Sequence, residues 1–362
     1  MSATVGDRLD KLRLVRTANV GPMAYRQLIA RFGSAGAALD ALPDLAARGG
    51  AQAFRIADAR TVAAEINKVE RLGARHIFLG DADYPPLLTE ADGGPAVLIA
   101  RGNIALAAER AVAIVGARNA SAAACRFARE LSHGLAAQGI VIVSGLARGI
   151  DTAAHSGATP ARTVAVIGCG IDVVFPPENA RLQESIANEG LLLTELPPGS
   201  EPLARHFPAR NRIIAWMSVG TVVVEAAPRS GSLLTARLAG KEGRDVMAVP
   251  GFPADPRAQG CNGLIREGAT LVQSAEDVIE AISSIDPRAM REPRGGYDAP
   301  VTGDLEDSAR QCVVGLMSLS PVNVDELVRQ TGLSAALVQT ALLELEIAGR
   351  LQRHAGGKVS LT

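Results

Sequence analysis

Cysteine is sparse and scattered in this chain. Cys125, Cys169, Cys261 and Cys312 stand far apart with no C-x-x-C spacing, which argues against a structural zinc site or a disulfide framework. Such usage fits a reducing, cytoplasmic compartment. No apolar run is long enough to cross a bilayer. Met1 leads into a charged stretch (Asp7, Arg8, Asp10, Lys11) where a signal peptide would be apolar. A soluble protein, away from membranes, is expected. Charge of one sign is missing too: the formal net charge is −1, so the whole chain points to no polyanionic partner. The sum hides a local excess. Between Glu201 and Arg244 the bases Arg205, Arg210, Arg212, Arg229, Arg237, Lys241 and Arg244 are opposed only by Glu201, Glu225 and Glu242.

What is present reads as an ordinary globular composition, 48% hydrophobic and 21% charged over 362 residues, enough for one large domain with smaller ones attached. Residues 8–73 carry helical spacing (Leu9, Leu12, Val15; Leu28, Ile29, Phe32) on either side of Asn19-Val20-Gly21-Pro22. That tight turn suggests a helical hairpin whose amides can face a phosphate. It equally suits a small helical packing module.

From Arg110 to about Ser284 short β-branched runs alternate with Ala-rich stretches. The runs are 112–115, 140–143, 164–167, 191–193, 221–224 and 246–249. Near-continuous apolar runs of strand length mean strands covered on both faces, a parallel sheet flanked by helices. Glycines Gly116, Gly145, Gly168 and Gly251 follow several of them, at the carboxyl edge where doubly wound sheets bind ligands. Residues 287–304, rich in Pro, Gly and charge, read as a linker. Beyond them, Asp325–Val328, a turn at Thr331–Ser334, a helix from Leu337 to Ala348 and a two-stranded wing around Gly356-Gly357 predict a winged helix. Its recognition helix carries few bases, which lowers the expectation that it reads DNA. The expected domains are 1–78 (helical), 79–286 (α/β core), 287–304 (linker) and 305–362 (winged helix).

Enzyme signatures fail one after another. The first strand ends Val115-Gly116-Ala117-Arg118, with an arginine where a dinucleotide turn needs its second glycine. The second ends at Ser144, not at the acid that would bind a ribose, and Gly168-Cys169-Gly170 lacks its third glycine because position 173 is valine. Gly240-Lys241 is followed by Glu242, so there is no Walker A loop, and no G-x-S-x-G elbow occurs. Asp151 and His155, one helical turn apart, could pair for proton transfer, though a structural role for the aspartate is the more economical reading. No catalytic residue, metal or cofactor is expected.

Chemistry for holding phosphates remains. Arg118 offers a guanidinium at the first turn. The loop Ser144-Gly145-Leu146-Ala147-Arg148-Gly149 opens a helix with amides suited to an anion. Arg210, Asn211 and Arg212 begin another helix, and Ser230-Gly231-Ser232 a third, with Lys241 two turns on. Sharing one sheet edge, these turns would form a groove for a run of phosphates. Trp216, the only tryptophan, is a base-stacking platform or, by preference, core.

The segments V-A-I-V-G-A-R (112–118), S-G-L-A-R-G-I-D-x-x-A-H (144–155), A-V-I-G-C-G-I-D (165–172), F-P-A-R-N-R-I-I-A (207–215), V-V-E-A (223–226), S-G-S-L-L-T-A (230–236) and A-V-P-G (248–251) together resemble the DNA-processing protein A family, also called Smf. The resemblance covers roughly residues 80–285. It implies an extended Rossmann-like, mostly parallel sheet with an N-terminal SAM-like helical domain and a C-terminal winged helix. It further implies a homodimer that binds and protects single-stranded DNA with little sequence preference and loads RecA onto it during natural transformation. On that resemblance the DNA-binding set is Gly116, Arg118, Ser144, Gly145, Arg148, Gly149, Arg210, Asn211, Arg212, Ser230, Gly231, Ser232 and Lys241. Ala117 departs from the family's commoner serine, and Trp216-Met217 from its small residues. The alternative is a nucleotide-cleaving enzyme of the LOG/lysine-decarboxylase-like type, whose P-G-G-x-G-T-x-x-E motif Gly220-Thr221 and Glu225 resemble with the acid one residue out of register.

Overall fold

The computed structural model describes residues 5–91, 93–283, 305–354 and 356–362. The linker expected at 287–304 lies outside the described residues. The chain divides into two compact units, one of residues 65–292 and one combining residues 1–64 with 293–362.

The larger unit is built on a sheet of nine strands among the described residues: β1 (Arg75–Phe78), β2 (Val97–Gly102), β3 (Ala111–Gly116), β4 (Val141–Ser144), β5 (Thr163–Val166), β6 (Leu191–Thr194), β7 (Gly220–Val224), β8 (Asp245–Ala248) and β9 (Thr270–Leu271). Their order is β1-β2-β6-β5-β4-β3-β7-β8-β9. From β6 to β9 every neighbouring pair is parallel, in register Val112↔Gly220 and Val115↔Val223 at the centre, whereas β1 and β2 are antiparallel additions on one edge. The six apolar runs expected as strands are β3 to β8; β1, β2 and the two-residue β9 were not among them. Residues 75–78, grouped with the N-terminal helices on the sequence pattern, instead belong to the sheet. Gly73, at φ +67°, turns the chain out of the preceding helix, and four residues are too few to show a two-residue period.

The connecting helices are α5 (Pro86–Glu90), α6 (Ala122–Ala137), α7 (Ile150–Gly157), α8 (Ala180–Glu189), α9 (His206–Trp216), α10 (Gly231–Lys241), α11 (Gln259–Arg266) and α12 (Ala275–Ser283), after four N-terminal ones, α1 (Val5–Arg16), α2 (Pro22–Phe32), α3 (Ala35–Arg48) and α4 (Ala59–Arg71). Alternate residues of β3 feed separate cores. Val112 and Ile114 pack with Ala128, Leu131 and Ile150 from α6 and α7, while Ala113 and Val115 pack with Ile213, Trp216, Leu233 and Ala236 from α9 and α10. A right-handed crossover explains the division: the chain moves from β3 towards β6, returns to β7 beside β3, and then moves the other way.

In the smaller unit α13 (Asp307–Gly315), β10 (Val322–Asn323), α14 (Val324–Thr331), α15 (Ala335–Ile347), β11 (Leu351–His354) and β12 (Lys358–Leu361) form the winged helix, its strands ordered β10-β12-β11. Asn323 and Ser334 cap α14 and α15 through their side-chain oxygens, and Gly332 ends α14 in the left-handed region. No helix among the described residues is long and apolar enough to cross a membrane.

Candidate nucleic-acid interface

Glycine lets the backbone pack closely at the strand ends. A Cβ on Gly116 would overlap the carbonyl of Val224 at the end of β7, and one on Gly149, after β4, would overlap that of Ala117, after β3. Gly149 also sits at φ +75°, ψ −120°, a conformation side chains resist. The loops after β3 and β4 therefore touch backbone to backbone, and Ile150 donates its amide to Ala117 at 3.2 Å. This contact sets Arg118 beside the 145–149 loop.

Beneath that loop lie a buried carboxylate and a buried guanidinium, each bonded to loop backbone, in place of a free anion site. Asp151 Oδ2 accepts from the amides of Gly145 (3.2 Å) and Ala147 (3.3 Å). Burial pushes its carboxyl up, while Arg210, those two amides and Arg118 pull the other way. Arg210, 6% exposed, donates Nη1 to the carbonyls of Gly145 (2.6 Å) and Val166. Burial pushes its pKa down to about 10 against the pull of Asp151. The loop amides expected to meet a phosphate thus already serve an internal carboxylate. Ser144 is likewise internal: it is fully buried and its hydroxyl donates to the carbonyl of Ile114 at 2.6 Å.

Above this support opens a cavity of about 410 Å³ lined by Arg118, Asn119, the 145–148 loop, Ile167, Gly168, Cys169, Phe175, Pro176 and Phe207. Arg118 is exposed, its guanidinium carbon 5.2 Å from the centre of the Phe207 ring. Phe175, itself 37% exposed, meets Phe207 at a centroid distance of 5.7 Å and a tilt of 42°. Arg148 stands at the rim, paired with Glu178 at 2.5 Å between exposed partners, a pair of little stabilising worth. It also lines a second hollow of about 310 Å³ with Gly149, Cys125, Arg129 and Thr152. Burial pushes the Cys169 thiol up to about 11, so this side chain is neutral near pH 7.

The cavity does not take in all four of the turns expected to share a groove. All four helices start at the carboxyl edge, but α6 and α7 lie on one face of the sheet and α9 and α10 on the other. Arg212 points away from the cavity because residues two apart on a helix diverge by about 200°. It pairs with Glu195 at 2.6 Å, donates to the carbonyl of Gly93 and lies over the Trp216 ring. Asn211 reaches the carbonyl of Gly231 at 3.4 Å. Ser230 caps α10, its hydroxyl 2.7 Å from that of Ser232, and none of the three residues 230–232 lines the cavity. Lys241 ends α10, roughly 15 Å along the axis from its start, and so lies towards the opposite edge. Gly116 acts as a spacer. The cavity gathers Arg118, Gly145 and Arg148 from the expected set and adds Phe175, Phe207 and Asn119. Phe207-Pro208 opened a quoted segment, but nothing in its pattern distinguished a half-buried ring at a cavity from a core one.

The pairs proposed for chemistry are also occupied. Glu225 accepts from the amide (2.8 Å) and hydroxyl (2.6 Å) of Ser121, tying the start of α6 to the end of β7. Asp151 and His155 do not pair; His155 Nδ1 lies 2.7 Å from the hydroxyl of Thr163. Trp216 is core, 8% exposed, with Nε1 donating to Leu238 at 3.1 Å.

Fold and cavity together define a Rossmann-like α/β protein that has exchanged the glycine of a dinucleotide turn for an arginine beside an aromatic ring. Residues 75–283 match the model of the DNA recombination-mediator protein A family, residues 6–67 that of the DprA-like N-terminal HHH domain, and residues 298–357 that of the DprA winged helix domain. The chain belongs to the DNA recombination-mediator protein A (DprA/Smf) family. It is 48% identical to the DNA processing protein DprA of Streptococcus pneumoniae over 201 residues, 55% of this chain and 71% of that one. The X-ray structure of DprA from S. pneumoniae superposes with a TM-score of 0.65 at 39% identity, covering 77% of this chain and 98% of that chain. DNA processing protein A from Helicobacter pylori, whose structure describes a single-stranded DNA binding mode, gives a TM-score of 0.53 at 29% identity over 58% of this chain and 96% of its own.

Proposed function

We propose that this chain binds single-stranded DNA at the Arg118–Phe207 cavity, with little sequence preference, and acts by binding and not by catalysis. The observation behind this reading is the placement of an exposed guanidinium against an accessible ring at the mouth of a cavity within the ~300–1,000 Å³ range of small-ligand sites. Arg118 supplies the phosphate contact, and Phe207 with Phe175 a stacking surface for a base. Single strands offer free base faces; a duplex keeps them stacked. Gly145, Arg148 and Gly149 shape the rim, while Arg210, Ser144 and Gly116 hold it from below. A purely binding role is supported by the occupied states of Asp151, His155 and Glu225. Homodimer formation, protection of the strand and its transfer to RecA in natural transformation are the parts of this reading that rest on family membership.

Anisotropy of labelled poly-dT and a matched duplex at two salt concentrations tests the proposal. Tight, salt-sensitive binding that favours the single strand is expected. Preference for the duplex would overturn it.

A further inference from the structure

Arg148 lines two hollows at once. One is the Arg118–Phe207 cavity; the other, of about 310 Å³, is built on α6 and α7 and has Arg129, Thr152, Ser156 and Asn179 in its lining. Its walls are fixed by backbone contact. A Cβ on Gly157 of α7 would overlap the carbonyl of Arg129 in α6, and one on Gly149 would stand 2.7 Å from the carbonyl oxygen of Arg118. The backbone just after Arg148 therefore lies against that of Arg118, so these two side chains start from neighbouring points.

The charged groups that line this second hollow, Arg129 and Arg148, are both cations. Arg129 is exposed and carries no ion pair among the described residues. Arg148 holds Glu178 at 2.5 Å between exposed partners, a pair that a phosphate replaces at little cost. The uncharged polar groups are already committed. The Thr152 hydroxyl donates to the carbonyl of Ala147 (2.7 Å) and that of Ser156 to the carbonyl of Thr152 (2.8 Å). Asn179 Nδ2 donates to the carbonyl of Leu146 (2.9 Å) and to the Thr152 hydroxyl (2.8 Å). No aromatic ring lines the hollow. It has charge to hold a phosphate, but no ring on which a base could stack and no uncommitted hydroxyl or amide proton to read a base edge. We infer that this hollow is a second, backbone-only subsite of the same single strand. A base occupies the Arg118–Phe207 cavity, the chain leaves across Arg148, and a phosphate farther along is held by Arg129. The inference rests on the single-strand reading of the cavity.

Oligo-dT of about 4 and of about 16 nucleotides, the span of single-strand site sizes, separates the two subsites in the full chain. Arg129→Ala, at an exposed helical position that alanine suits, should leave affinity for the short oligomer unchanged. For the long one it should lower affinity about fivefold at about 0.1 M salt and flatten the slope of log affinity against log salt by about 0.7, the share of one phosphate contact. Arg237→Ala removes an exposed charge from α10, on the other face of the sheet, and should change neither. Equal losses in the two variants would reflect net charge and overturn the second subsite. Unchanged affinity for the long oligomer in Arg129→Ala overturns it as well, and so does an equal loss at both lengths, which would place Arg129 at the cavity. In each of these cases the cavity reading stands if Arg118→Ala weakens both lengths. Failure of the unaltered chain to bind either oligomer overturns both.

Discussion

The guanidinium of Arg210 fills the space that a side chain on Gly145 would need. Its Nη1 donates to the Gly145 carbonyl at 2.6 Å, and a Cβ on that glycine would overlap Nη1. The arginine's charge also partly offsets the burial of Asp151, which organises the same loop. Arg210 is thus part of the protein's interior although it belongs to a stretch of the chain with an excess of bases.

Arg210→Met should consequently destabilise the fold by about 3 kcal/mol, because it leaves the buried carbonyls of Gly145 and Val166 without their donor and removes the positive charge nearest the buried Asp151 carboxyl. Urea unfolding checks this. An exposed cation would show almost no change, and that result would remove Arg210 from the interior.

Arg118→Ala should act in the opposite manner, leaving the urea midpoint unmoved while weakening binding of poly-dT. The slope of log affinity against log salt should flatten by about 0.7 for one lost single-strand phosphate contact. A loss of affinity with an unchanged slope would mean that Arg118 does not touch phosphate.

Phe207→Ala should cost roughly 1–3 kcal/mol of binding, the worth of one stacked base, without altering the salt slope. Phe207→Tyr should retain most of the affinity. Equal losses in both variants would point to disturbed packing of the cavity instead of a lost stack.

His155 should make the fold acid-sensitive. The Thr163 hydroxyl donates to the carbonyl of Ile142 at 2.9 Å, so its oxygen accepts from His155 and the imidazole is the Nδ1–H tautomer. Nε2 is buried without a partner, and burial lowers the pKa to about 3, with Arg210 adding to the effect. The unfolded chain therefore binds the extra proton between the ordinary value of 6.5 and about 3. Stability contributed by the neutral ring is complete above the unfolded value. It is lost as pH falls, by up to about 1.4 kcal/mol per unit. Asp151, whose carboxyl is raised chiefly by burial, works in the opposite sense. His155→Gln should flatten the profile of urea midpoint against pH between 6.5 and 4; an unchanged profile would assign the acid sensitivity elsewhere.

The sequence by itself determined the layered core. Apolar runs such as Val112–Val115 and Val164–Ile167 can only be strands covered on both faces, and alternation with Ala-rich helices makes the sheet parallel. The winged helix was equally legible from its two helical runs, its turn at Thr331–Ser334 and its glycine wing. β1 was not, since a four-residue edge strand gives no period to read, and β2, paired on both sides by antiparallel neighbours, lay outside the regular alternation of runs and Ala-rich helices. The loss of a dinucleotide fingerprint at Arg118 was also a matter of sequence alone. What only the tertiary structure decided was which charges face water. Arg210 and Arg212 look alike in the chain, but helical geometry turns one into the β4–β5 loops and the other towards Glu195. The crossovers place α6 and α7 on one face and α9 and α10 on the other, so turns in register along the sequence divide between two faces. Exposure follows from such long-range packing, and no local pattern of residue types encodes it.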